Sequence, residues 1–302
     1  MTDTPARTPE DVRADLSDLD LRSTENLVDL WATEEQSVAR AIADARPALV
    51  AAVDAIAARV QDGGRLIYVG AGTPGRLAWL DAVECPPTFG CEPDLVQAVI
   101  AGGARAFTGA IEADEDDAST APAALAAVGL TSRDTVVCVS ASGRTPFVRR
   151  AASYARELGA LTIGLCNAPD SPLATETELA VVLLTGPEIL SGSTRLKAAS
   201  AQKAVMNMMS TLLMVRLGHT YGNLMVGVRA DNDKLRGRTR RIVEEATGQP
   251  ATVADEMIQR CDGDLKVAIV ALLTGSEPGA ARERLAESGG HVREAVAARA
   301  QG

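Results

Sequence analysis

The sequence predicts an α/β fold built on a doubly wound, mostly parallel sheet, with helices ahead of it and a small helical module behind it. Three observations predict this. Short apolar runs such as Leu66-Ile-Tyr-Val69, residues 134–140 and residues 161–166 alternate with Ala-rich stretches of helical pattern, and strands alternating with helices form parallel βαβ units. Two of these runs end directly in loops rich in glycine and hydroxyl side chains, Gly70-Ala-Gly72-Thr73-Pro74-Gly75-Arg76 and Ser140-Ala-Ser142-Gly143-Arg144-Thr145, each followed by a helix. Past Ala246 the apolar runs give way to short helical segments parted by Gly263, Gly275 and Gly289-Gly290.

In chain order, residues 1–20 are polar and are expected to form a disordered or loosely attached lead. Ser23-Thr-Glu-Asn is a helix-start signal for a helix to about Ala45. Pro47 punctuates it, and a second Ala-rich helix runs to about Val60, ended by Asp62-Gly63-Gly64. Residues 65–69 form a buried-type strand, followed by the first glycine loop and a helix. Residues 95–100 are the next strand, and the acidic segment 112–117 leads into an Ala-rich helix. The strand at 134–140 passes through the Ser/Gly loop into a helix ending near Gly159. Residues 161–166 and 179–184 are further strands. A long helix spans about Arg195 to Leu217, stopped by Gly218. The expected organisation is a lead (1–20), an α/β domain with N-terminal helices (21–246) and a helical module (247–302), the last too small for a second catalytic domain.

Composition narrows the function. The 302 residues are 46% hydrophobic and 23% charged, a globular balance with room for one sizeable core. Aromatics are only 3%, so the core must be Ala, Val, Leu and Ile. A net charge of -10 excludes a protein that wraps nucleic acid, which needs clustered Lys and Arg, and disfavours an anionic membrane surface. A small anionic ligand stays open, because a nest of backbone N–H groups outweighs global charge locally. The five cysteines are scattered without a C-x-x-C pair and read as reduced thiols. The first twenty residues have no apolar core of a signal peptide, and the longest apolar runs are too short to span a bilayer. A cytoplasmic protein is expected.

In an open parallel sheet, ligands bind beyond the carboxyl ends of the strands, where helix N-termini direct free N–H groups outward. The two Gly/Ser/Thr loops are therefore candidate phosphate cradles. Gly70, Gly72 and Gly75 also fit the dinucleotide spacing. The next strand, however, ends in Ala-Gly-Gly without the ribose-binding acid, and there is no Walker lysine; a nucleotide enzyme is the runner-up for these loops. Glu84 lies just before Pro86-Pro87, a position suited to a general acid that an ordinary surface glutamate would equally occupy. The run at 112–117 suits the start of a helix electrostatically. It lacks the glycine and spacing of a calcium loop. With only His219 and His291 in the chain, both read as structural or exposed, carboxylates and lysines are left for proton transfer.

Four blocks together resemble one family. They are Gly70 to Arg76 with residues 81–90, then residues 140–148, then Gly186-Pro-Glu-Ile-Leu-Ser-Gly-Ser-Thr-Arg-Leu-Lys197 continuing to Lys203, and Gly222-Asn-Leu-Met-Val226. In order and spacing, from about Glu25 to Gly248, they resemble the N-acetylmuramic acid 6-phosphate etherases, which share the sugar-isomerase (SIS) domain with the glucokinase regulatory protein. The resemblance implies removal of D-lactate from the C3 ether of a phosphorylated amino sugar by elimination and hydration through the open-chain aldehyde. It implies no metal or organic cofactor, and a homodimer. By motif, Glu84 is implied as proton donor and Glu115 as the second catalytic carboxylate, its register within residues 112–117 open by a few positions. Thr73, Gly75, Ser140, Ser142, Gly143 and Thr145 are implied to bind the phosphate, and Ser193, Thr194, Arg195 and Lys197 to contact ligand. Cations at a helix start are opposed by the helix dipole unless an anion lies near, which favours ligand contact. Pro74 stands where the family usually has serine, removing a hydroxyl and an N–H from the nest, although proline is tolerated in a first helical turn; Ala199 and Ser200 replace the usual Gly and Thr. A non-catalytic sugar-phosphate sensor is the alternative. A transcription regulator with this domain would need a basic DNA-binding segment, and the N-terminal segment here is acidic.

Overall fold

The computed structural model describes residues 8–109, 112–228 and 233–297. The chain divides into two compact units, residues 1–82 with 94–210, and residues 83–93 with 211–302.

The first unit opens with two helices. Ser23 caps α1 (Thr24–Asp44) by accepting from Asn26 N at 3.2 Å, and α2 (Arg46–Gln61) follows with Pro47 in its first turn, where no intrahelical donor is lost. The sheet is then laid down as β1 (Leu66–Gly70), β2 (Val96–Ile100), β3 (Thr135–Val139), β4 (Leu161–Cys166) and β5 (Leu179–Val182). All pairs are parallel, in the order β2-β1-β3-β4-β5. The central β1, β3 and β4 are buried throughout and the edge strand β5 only partly, which is why they read as continuous apolar runs.

The connecting helices are α3 (Gly72–Phe89), α4 (Glu112–Asp116), α5 (Ala121–Ala127), α6 (Pro146–Glu157), α7 (Pro172–Glu176) and α8 (Lys197–Arg216). Alternate strand residues face opposite sides. On one side, Ile67, Val69, Val136 and Cys138 pack with Phe147, Val148, Ala151, Ala152 and Ala155 of α6 and Leu125 of α5. On the other, buried Tyr68 donates to Met206 O of α8 at 3.1 Å. With few aromatics, alanine lets α6 sit close on the sheet.

The expectation of a loose lead, residues 1–20, is corrected for residues 8–20, while residues 1–7 lie outside the described residues. Leu16 is buried, Glu188 N donates to Pro9 O at 3.2 Å and Ser191 Oγ to Glu10 O at 3.3 Å. Arg13 pairs with Glu34 at 2.6 Å. Polar composition hid this because most of the fastening is hydrogen bonds and ion pairs, with Leu16 the apolar exception. The helix expected to end at Pro86-Pro87 also runs on to Phe89. Each proline removes an intrahelical donor and crowds the carbonyl four residues back, yet the helix continues past both, and Gly90, at φ 64°, closes it by donating to Pro86 O at 2.8 Å.

The second unit is larger than the module expected from residue 247. It holds the hairpin β6 (Thr220–Tyr221) and β7 (Leu224–Met225), then α9 (Asp233–Thr247), α10 (Ala251–Arg260), α11 (Leu265–Thr274), α12 (Pro278–Glu287) and α13 (Val292–Ala297). Ile242 and Val243 of α9 share one core with Ala254, Cys261, Leu265, Ile269, Leu285 and Val292, so the boundary cannot fall after α9. α11 is apolar at every position but Lys266 and Thr274 and largely buried. Asp264 caps it by accepting from Val267 N, and Gly275 in the left-handed region ends it. Residues 83–93 belong here because Gly90 and Gly227 meet backbone to backbone, with no room for a β-carbon on either. Among the described residues no helix is long and apolar enough to cross a membrane.

Candidate active site

The strand order reverses at β1 and β3: the chain leaves β1 toward β2 and leaves β3 toward β4, so their carboxyl ends face a crevice between diverging loops. Both glycine loops open there. A cavity of about 400 Å³ is lined by Gly72, Thr73, Pro74 and Arg76 from the first loop, Ser140, Ser142 and Thr145 from the second, Gly192, Ser193, Thr194 and Arg195 ahead of α8, and the carboxylates Glu10 and Glu115.

Each loop is shaped for a distinct reason. Gly72 has φ 54°, and a β-carbon there would overlap the Glu115 carboxylate. The glycine thus lets a carboxylate lie against the loop backbone. Gly75 does not line the cavity, contrary to expectation. A β-carbon there would meet Ile100 Cγ1 at 2.6 Å and Gly70 O at 2.9 Å, so it permits close helix–strand packing. Pro74 is the third residue of α3, inside its first turn, where no intrahelical donor is lost. In the second loop Ser140 Oγ and Thr145 Oγ1 are 2.9 Å apart, and Ser140 Oγ accepts from Gly143 N at 3.1 Å. Gly143 therefore spends its N–H inside the loop and is also absent from the cavity lining. Thr145, at the start of α6, makes no side-chain cap and Pro146 carries no N–H, so Phe147 and Val148 are the first-turn residues whose N–H groups have no intrahelical acceptor, at the mouth where an anion is expected.

Lys197 is the clearest correction. It is 3% exposed and its Nζ meets Glu34 Oε2 at 2.6 Å. Its N–H donates to Glu188 Oε2 at 3.1 Å, and Ala198 N to Oε1 at 2.9 Å. The anions that offset a cation at this helix start are the chain's own carboxylates, so α8 is closed to a ligand at its tip. Burial pushes the Glu188 carboxyl up, opposed by the hydrogen bonds from Ala198 and Lys197. Burial opposes ionisation of Glu34 as well, but hydrogen bonds from Lys197 and Arg13 hold it below the usual carboxylate range.

Thr73, Ser140, Ser142, Thr145, Ser193, Thr194, Arg195 and Glu115 are thus gathered around one cavity, and Gly75, Gly143 and Lys197 support it from behind. Glu84 is not among the lining residues. It is exposed on α3. Sequence reasoning missed Glu10 and did not single out Arg76, whose guanidinium donates to Ala106 O at 2.7 Å and Gly109 O at 2.9 Å. Its place in the first motif was the available signal; Glu10 had none. Among the described residues no cluster of His, Cys, Asp or Glu is arranged to hold a metal ion.

The glucokinase regulatory protein N-terminal SIS domain model matches residues 48–156, and the SIS domain model residues 117–214. An N-acetylmuramic acid 6-phosphate etherase of Streptomyces coelicolor is 52% identical over 291 residues, covering 96% of this chain and 94% of its own. One from Rubrobacter xylanophilus is 54% identical over 282 residues, covering 93% of each. The chain belongs to the N-acetylmuramic acid 6-phosphate etherase family. A solved phosphoheptose isomerase from Neisseria gonorrhoeae is similar at a TM-score of 0.48, 19% identical, over 63% of this chain and 97% of that one; the assignment rests on the relatives.

Family membership sharpens the question posed by Pro74. A serine there would restore one first-turn N–H and a hydroxyl at the cavity wall. Pro74→Ser is expected to lower the inhibition constant of inorganic phosphate about tenfold, the effect of one hydrogen bond to a charged group. An unchanged constant in a competition assay would mean that position 74 does not touch the phosphate.

Proposed function

We propose that this chain is an N-acetylmuramic acid 6-phosphate etherase, a carbon–oxygen lyase that releases D-lactate and leaves N-acetylglucosamine 6-phosphate. The observation that carries the reading is the Glu115 carboxylate seated against Gly72, in one cavity with the hydroxyls of both phosphate loops. The loops hold the 6-phosphate through Thr73, Ser140, Ser142, Thr145 and helix N–H groups. Ser193, Thr194 and Arg195 hold the remainder of the sugar. In the open-chain aldehyde the C2 proton is acidified by the carbonyl. Glu115 takes that proton, electrons pass into the C2–C3 bond, and the C3–O bond breaks as an acid protonates the departing lactate oxygen. Water then adds at C3 and a proton returns to C2, so the carboxylates end as they began.

The acid is Glu84 in this reading, supplied within a homodimer. Glu84 shares α3 with Trp79, Leu80 and Val83, which are 40%, 49% and 48% exposed. Leu80 and Glu84 lie one turn apart on the same face. An apolar helix face of this kind suits a second copy of the chain. The five cysteines are all buried, and burial pushes Cys138 up to about 12; unreactive thiols support a cytoplasmic location.

The test is lactate release from N-acetylmuramic acid 6-phosphate, with Glu84→Gln and Glu115→Gln assayed alone and mixed after dissociation. Each alone should be inactive, and random two-fold pairing should restore about a quarter of the activity if each site draws one carboxylate from each copy. A wild-type chain that binds the sugar phosphate tightly but releases no lactate would leave a sensor, and a mixture as inactive as its parts would refute the shared site.

A further inference from the structure

Glu10 is a carboxylate in a cavity whose loops are built for an anion, and it comes from the segment in which no functional residue was expected. Its placement is not casual. Thr8 N donates to Asp11 Oδ2 at 2.7 Å and Asp11 N to Thr8 O at 3.2 Å, closing a turn around it. The carbonyls on either side of its peptide unit are held from the far loop, Pro9 O by Glu188 N and Glu10 O by Ser191 Oγ. Three residues later Arg13 meets Glu34 Oε1 at 2.6 Å, and the other oxygen of Glu34 meets Lys197 Nζ. The backbone at position 10 is therefore tied at both ends to the segment that supplies Ser193, Thr194 and Arg195, while the side chain is left to the cavity.

An ionised carboxylate only accepts hydrogen bonds and repels a phosphate. Its ligand partner must be a donor. We propose that residues 8–13 form a strap across the site and that Glu10 is a specificity-determining residue, accepting hydrogen bonds from a hydroxyl or the acetamido N–H of the amino sugar and taking no part in holding the phosphate. This rests on the sugar-phosphate reading of the cavity. It differs from the roles of Glu84 and Glu115, because no proton is transferred and the expected loss is in recognition of the sugar.

The experiment compares dissociation constants of N-acetylglucosamine 6-phosphate and inorganic phosphate for the full chain, Glu10→Ala and Glu10→Gln, by calorimetry, with thermal unfolding as a check on folding. The preference for the sugar phosphate over phosphate should fall at least about tenfold in Glu10→Ala, the effect of losing a hydrogen bond to a charged acceptor, with the phosphate constant unchanged or lower. Glu10→Gln, which keeps one acceptor oxygen, should lie between. An unchanged preference in both variants would overturn the assignment, as would a parallel weakening of both ligands, which would make Glu10 a support for the phosphate loops. Lactate release by the wild-type chain is measured separately: its absence removes the etherase reading while the binding ratio still decides Glu10.

Discussion

Glu115→Gln is expected to lower lactate release by about two to four orders of magnitude, the usual reach of a positioned general base, without lowering the melting temperature or weakening phosphate binding. The carboxylate comes from the five-residue α4 and lines the cavity half-buried. Glutamine keeps the volume and loses the charge, so packing is preserved while proton abstraction at C2 is not. Removing a negative charge beside the phosphate loops should, if anything, tighten phosphate. Gly72→Ala gives the complementary result. It keeps the carboxylate but adds a β-carbon that overlaps it, at a residue whose φ of 54° costs other L-residues about 1–2 kcal/mol. Activity should fall with Glu115 chemically intact. Measured together, kcat and the inhibition constant of phosphate separate the two: a Glu115→Gln enzyme retaining more than a tenth of wild-type kcat would remove Glu115 from the chemistry.

The strands and the two glycine loops were legible because their causes are local. A strand buried on both faces must be apolar at every position, as Leu161–Cys166 is, and a loop that turns from a strand into a helix beside a ligand needs glycines and hydroxyls in sequence. What was not legible depends on partners far along the chain. Lys197 looked like a ligand contact because a lysine at a helix start invites an anion. Glu188 meets its N–H from 9 residues away and Glu34 its ammonium from 163, and nothing in the local pattern announces either. Glu10 was invisible for the same reason: Ser191, which holds its carbonyl, lies 181 residues on. The unit boundary was displaced because α9, strongly charged along its length, hides in its pattern the pair Ile242 and Val243 that enters the second core. Glu84 is a different case. Its motif is plain in the chain, while the exposed apolar helix face beside it shows only in the structure.

Glu34→Ala is expected to destabilise the first unit by about 3–5 kcal/mol, because it strands the buried Lys197 ammonium without a counter-charge. The melting temperature should fall by roughly 10 °C. Glu34 is the hub of the only carboxylate-bridged link among the described residues that joins the strap, α1 and the start of α8: one oxygen meets Arg13 and the other Lys197, each at 2.6 Å. The double replacement Glu34→Leu with Lys197→Met should recover most of the loss, since apolar residues of similar size commonly replace a buried pair at little cost, whereas the strap would still lack its anchor. The pH dependence follows from the same hub. The folded-state pKa of Glu34 lies below the usual carboxylate range, so between that value and about 4.5 the unfolded chain binds the extra proton and stability rises with pH. The contribution is fully present above about pH 4.5 and is lost as the pH falls through the folded-state pKa. Thermal unfolding from pH 3 to pH 7 should show this slope in the wild type and a shallower one in the double variant. Because residues 192–195 lie directly ahead of Lys197, the double variant should also raise the KM for the sugar phosphate while kcat changes little; an unchanged KM beside restored stability would mean that the strap and the ion pair serve the fold alone.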